Sequence, residues 1–94
     1  MVEEKVHANL GIVFDREIPV GRDWIHLSLE NKRGHWVLYR ERRQREGATI
    51  TSVVPIRSLA HLSAFASADE FSSQLDKAYA DILAAVRASP PSGR

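Results

Sequence analysis

The chain contains no cysteine, which excludes disulfide staples, thiolate zinc sites, iron–sulfur ligation and thiol catalysis together. Its stability has to come from a packed core. Long apolar runs are also missing: none approaches the ~18 residues that a membrane helix needs. The acidic start, with Glu3 and Glu4, does not read as a signal peptide. A cytoplasmic protein with no membrane partner is the expectation. A strong charge of one sign is lacking too, since 13 Lys and Arg face 12 Asp and Glu for a net +1. No internal repeat or low-complexity block occurs.

What is present fits one domain. Ninety-four residues, 44% apolar and 27% charged, lie on the globular average and away from the composition of disordered chains. A chain this short folds around one core and leaves no room for a multidomain enzyme.

The clearest periodicity predicts a helix over 68–88. Phe71, Leu75, Ala78, Tyr79, Ile82, Leu83 and Val86 fall on one stripe at 3.6 residues per turn. Ser67 with Glu70 reads as a capping box, and Pro90 with Pro91 stops the helix. Ahead of it the period changes to two. Leu10, Ile12 and Phe14 alternate in a first strand, and Ile25, Leu27 and Leu29 alternate against Trp24, His26, Ser28 and Glu30 in a second. Pro19 and Gly21 make residues 17–23 a loop between them. A third strand runs from His35 to about Arg43, a turn with Gly47 follows, and a fourth strand covers Thr49 to Val54 or Ile56. Residues 57–66 are ambiguous between a helical turn and a short strand.

The expected fold is therefore α+β: a small antiparallel β-meander of about four strands followed by one long C-terminal amphipathic helix on one sheet face. A single domain over 1–89 would end in a disordered tail over 90–94. One helix covers only part of one face, so the other face must be solvated, self-associated or bound to a partner. A homodimer is expected on that ground.

The charges are unevenly placed. Residues 32–45 hold Lys32, Arg33, Arg40, Arg42, Arg43 and Arg45 against Glu41 alone, between acidic flanks. Arginine suits bidentate contact with phosphate or carboxylate. The hairpin register decides what this segment presents. With a three-residue loop Lys32-Arg33-Gly34, the side away from the helix carries Trp24, His26, Trp36, Leu38, Arg40 and Arg42. With a two-residue loop, Trp36 and Leu38 turn inward and Val37 and Tyr39 outward. Rings interleaved with guanidinium groups on a sheet suit single-stranded DNA or RNA, because bases stack on rings while arginine neutralises phosphate.

A small non-enzymatic nucleic-acid-binding domain is thus the leading expectation, with Lys32, Arg33, Trp36, Arg40, Arg42, Arg43 and Arg45 as the binding residues. The alternative is a protein-interaction or adaptor module that docks a protein partner or a second copy. In that case the aromatics belong to the core or an interface, and the arginines keep an edge hairpin from pairing. His7, His26, His35 and His61 lie on separate segments without paired spacing, so neither a metal nor another cofactor is expected. No nucleophile elbow or phosphate loop occurs, and no catalytic residue is assigned. In element order alone, the chain is similar to the transcriptional coactivator and whirly group of single-strand binders. That likeness implies a fold and not a function.

Overall fold

The computed structural model describes residues 11–91. Four strands, β1 (Ile12–Val20), β2 (Asp23–Lys32), β3 (His35–Arg43) and β4 (Thr49–Ile56), are followed by helices α1 (Leu59–Ala68) and α2 (Asp76–Ala88). The strands form one antiparallel sheet in the order β1-β2-β3-β4. The α+β meander is as the hydrophobic periods imply. No helix among the described residues is long and apolar enough to cross a membrane.

The long helix expected over 68–88 begins only at Asp76, after a turn over 69–75, and a separate helix, α1, fills most of the stretch over 57–66 that reads as ambiguous in the sequence. Asp69, the residue after α1, has extended backbone (φ −64°, ψ 132°), and its carboxylate accepts from the Phe71 N–H at 2.9 Å. A side chain that satisfies a nearby backbone donor offers the chain an alternative to the helical ladder. The backbone therefore turns through residues 69–75 before α2 begins. Phe71 and Leu75 still pack inward from this turn, which is why the apolar stripe reads as unbroken in the sequence.

Ser67 lies inside α1 and caps nothing. The cap of α1 is Ser58, whose Oγ accepts from the His61 N–H at 3.0 Å, while His61 Nδ1 accepts from the Arg57 N–H at 3.1 Å. This is the reciprocal logic of a capping box with histidine in the place of Glu or Gln, and it makes residues 59–68 helical.

One turn differs from expectation, and the hairpin takes one of its two alternatives. The loop over 17–23 shrinks to Gly21 and Arg22, with Gly21 at φ 62°. Pro19 stays inside β1 because that strand lies on the sheet edge, where a missing N–H is tolerated. The β2–β3 hairpin closes with two residues rather than three, pairing Lys32 with His35. Arg33 (φ 55°) and Gly34 (φ 87°) are both left-handed, as a type I′ turn requires. The Asn31 Oδ1 accepts from the Gly34 N–H at 2.8 Å and holds that turn. Leu10, His7 and, at the other end, Ser92 to Arg94 of the expected tail lie outside the described residues.

Both helices cover the same sheet face. Val20, Ile25, Leu27, Leu29, Trp36, Leu38 and Ile56 from the strands meet Leu62 of α1, Leu75 of the turn, and Ala78, Tyr79, Ile82 and Val86 of α2. The two-residue turn places Trp36 and Leu38 in this core. The Trp36 indole N–H donates to the Ser89 carbonyl at 2.6 Å, tying β3 to the end of α2.

Candidate interaction surfaces

Alternation along β3 puts Arg40 and Arg42 on the helix-covered face, opposite Leu27 and Ile25. Arg40 grips Asp69 with two hydrogen bonds, Nε to Oδ2 at 2.7 Å and an Nη to Oδ1 at 2.9 Å. The Tyr79 hydroxyl donates to the same carboxylate at 2.6 Å. The side chain of Asp69 is 1% exposed and that of Arg40 13%. Burial disfavours both ions, and their shared hydrogen bonds more than offset it: Asp69 is held below the usual carboxylate value and Arg40 above its own. Burial first, and the bond to Asp69 second, push the Tyr79 phenol well above its ordinary value. Arg42 pairs with Asp23 at 2.8 Å and with Glu70 at 2.5 Å, and its guanidinium lies over the Phe71 ring. Among the described residues no buried side-chain nitrogen or oxygen lacks a partner.

The open face alternates with this one. Its rows run Pro19, Trp24, Arg43, Thr49; then Glu17, His26, Glu41, Thr51; then Asp15, Ser28, Tyr39, Val53; then Glu30, Val37, Pro55. The carboxylates of Asp15, Glu17, Glu30 and Glu41 face one arginine, Arg43, which pairs with Glu17 at 3.2 Å and Glu41 at 3.5 Å. His26 contacts Asp15 at 2.6 Å. The Tyr39 hydroxyl donates to Glu30 at 2.7 Å, a bond that raises the phenol's pKa. Trp24 is 42% exposed.

The seven residues singled out for nucleic acid are therefore dispersed. Trp36 is in the core, Arg40 and Arg42 are beneath the helices, and Arg43 is on the open face among carboxylates. Lys32 and Arg33 sit on the β2–β3 turn, and Arg45 on the β3–β4 turn at the far end of the sheet. The three-residue-loop face that would have joined Trp24, Trp36, Arg40 and Arg42 is not formed, because the type I′ turn sets the other register. No group of three or more His, Asp or Glu placed to hold a metal occurs among the described residues.

A different surface stands out by what it lacks. From Thr49 to Ala68 the one Lys, Arg, Asp or Glu is Arg57, in a chain that is 27% charged. This stretch is β4, an outer strand of the sheet, and α1. Ile50 is 52% and Val53 59% exposed on the two sides of the strand, and α1 exposes Ala60, Ser63, Ala64, Ser67 and Ala68. The signal was available in the sequence as twenty residues with a single charge, but the basic hairpin before it drew the functional assignment. Asp23 and Asp69, which neutralise that hairpin, were not found because they lie 19 and 29 residues away from their arginines.

No protein-family model matches this chain, and no curated protein or solved structure is significantly similar to it. Any functional reading has to rest on these surfaces.

Proposed function

We propose that this chain is a small non-enzymatic interaction module that docks protein through the uncharged edge built from β4 and α1. The observation that carries the reading is the depletion of charge along that edge, where Arg57 is the one charged residue between Thr49 and Ala68. Depletion of charged residues marks the centre of protein interfaces, and an unprotected outer strand offers a ladder of backbone donors and acceptors. The open sheet face argues against a polyanion: four carboxylates border Trp24, Tyr39 and His26 there, and they repel phosphate.

The nucleic-acid reading keeps Lys32, Arg33 and Arg45, whose side chains have no carboxylate partner among the described residues. They stand at opposite ends of β3, ~30 Å apart for a nine-residue strand, and would form two small basic tips rather than one track.

Titration against a short single-stranded oligonucleotide at low and moderate salt separates the readings. The expected result is no salt-dependent binding. A steep fall of affinity with salt, reduced by replacing Lys32 and Arg33 with Gln, would show counterion release from phosphate contacts and overturn the interaction-module reading. In the positive arm, any protein association of this chain should weaken in Thr51→Lys and Val53→Lys and persist in Arg43→Gln.

A further inference from the structure

We infer that the occupant of the β4 edge is a second copy of this chain, its own β4 laid antiparallel across a two-fold axis at Ser52. The inference rests on the interaction-module reading above and names the partner.

The two sheet edges are built differently. β1 carries Asp15, Arg16 and Glu17, a bulge between Ile12 and Phe14, and Pro19. Charge, bulge and proline are the devices by which natural edge strands avoid pairing. β4 pairs with β3 without a register break, carries no charge, and has Pro55 near its end as the one such device. Pro55 cannot donate to a ladder, so it leaves Thr49–Val54 as the segment free to pair. Six consecutive residues of Thr, Ile, Ser and Val form a strongly β-prone sequence that would be an aggregation hazard if nothing covered it.

Symmetry selects the closing arrangement. Pairing β4 of one copy with β1 of another is head-to-tail and leads to a ring or an open chain, and the protections on β1 oppose it. Pairing β4 with β4 is closed and buries the vulnerable edge of both copies at once. Because side chains alternate, core-facing residues must oppose core-facing residues, which puts the axis at a residue rather than between two. With the axis at Ser52, Ile50 opposes the partner's Val54 on the helix side, and Thr51 opposes the partner's Val53 on the open side. The missing N–H of Pro55 falls at the end of the ladder. No charged group is brought against its own copy anywhere along it. Both helical layers then lie on the same side of an eight-stranded sheet. A ladder of six residues is well below the ~20 to 30 residues a side of a standard interface, so the dimer is expected to be weak and to assemble at micromolar concentration.

Sedimentation equilibrium of the full chain and a cysteine cross-link test this together. The wild type should pass from 10.6 kDa to twice that mass with rising micromolar concentration. Thr51→Lys and Val53→Lys place like charges across the axis and should raise the dimer dissociation constant roughly tenfold or more, with circular dichroism unchanged. Because the chain has no cysteine, Ser52→Cys introduces one thiol per copy. Opposed strand residues are ~4.5 to 5.5 Å apart at Cα, within the ~4.4 to 6.8 Å that a disulfide spans. Mild oxidation should therefore convert Ser52→Cys to a covalent dimer well before Asp15→Cys on the other edge. A wild type that stays monomeric throughout, or a Ser52→Cys that cross-links no faster than Asp15→Cys, overturns the self-pairing. Either result leaves the interaction-module reading standing, whereas salt-steep oligonucleotide binding removes that reading.

Discussion

Arg40 and Arg43 are three residues apart on one strand, and their surroundings are opposite. Arg40 points under the helices, where it makes a two-pronged bond to an almost fully buried aspartate that also holds Tyr79 and the Phe71 backbone. Arg43 points to the open face, where it and its partners Glu17 and Glu41 are a third to a half exposed (48%, 44% and 32%). Identical side chains in one basic run thus do different work: the first joins β3 to the α1–α2 turn and to α2, while the second balances charge on a solvated surface. Charge density along a sequence is therefore a poor guide to charge available for binding, because alternation sends every other residue of a strand to the opposite face.

The largest effect that would sharpen this contrast is Arg40→Ala. It leaves Asp69 buried without its cation, and breaking a buried pair in this way costs ~3 to 5 kcal/mol. Urea denaturation should show the loss directly, and a change below about 1 kcal/mol would mean that the pair is wetter than its geometry implies. Replacing Arg40, Arg42 and Arg43 together should accordingly damage the fold itself, and is not a clean probe of ligand binding.

The second test is the acid limb of stability. Asp69 has its carboxyl pKa held below the unfolded value of ~3.9, so its contribution is present in full above that value and is lost as pH falls through the lower folded one. Asp69→Asn should therefore be less stable than wild type at pH 7, with the gap narrowing below about pH 4. A constant gap down to pH 2 would sink the assignment.

Smaller effects separate the two helices. Ser58→Ala should cost ~0.5 to 2 kcal/mol through loss of the α1 cap, whereas Ser67→Ala should be close to neutral. Equal losses would restore the single long helix. The smallest effect belongs to Arg43→Gln, ~0 to 1 kcal/mol as for exposed ion pairs, and thermal melts in low and high salt should barely distinguish it from wild type. A loss as large as that of Arg40→Ala would abolish the distinction between the faces.

Local pattern alone was enough to place β2, β3, β4 and the start of β1, though not its end at Val20, and the apolar stripe of the C-terminal region, because a period of two and a period of 3.6 are properties of consecutive residues. Ile25, Leu27 and Leu29 had to share a face, and Leu75, Ile82 and Val86 had to be buried, whatever the rest of the chain did. The hairpin register was legible only as a pair of alternatives. Choosing between them needed Arg33 in a left-handed conformation, held by the Asn31 side chain, which composition does not announce. The break between α1 and α2 was hidden because a turn can bury Phe71 and Leu75 as a helix would, and the residue that makes the break, Asp69, is fixed by Arg40 from a strand 29 residues earlier. Which arginines are spoken for, and which edge is left bare, were decided by tertiary structure alone, since ion pairing and edge exposure depend on what the folded chain brings alongside a residue and not on its neighbours in sequence.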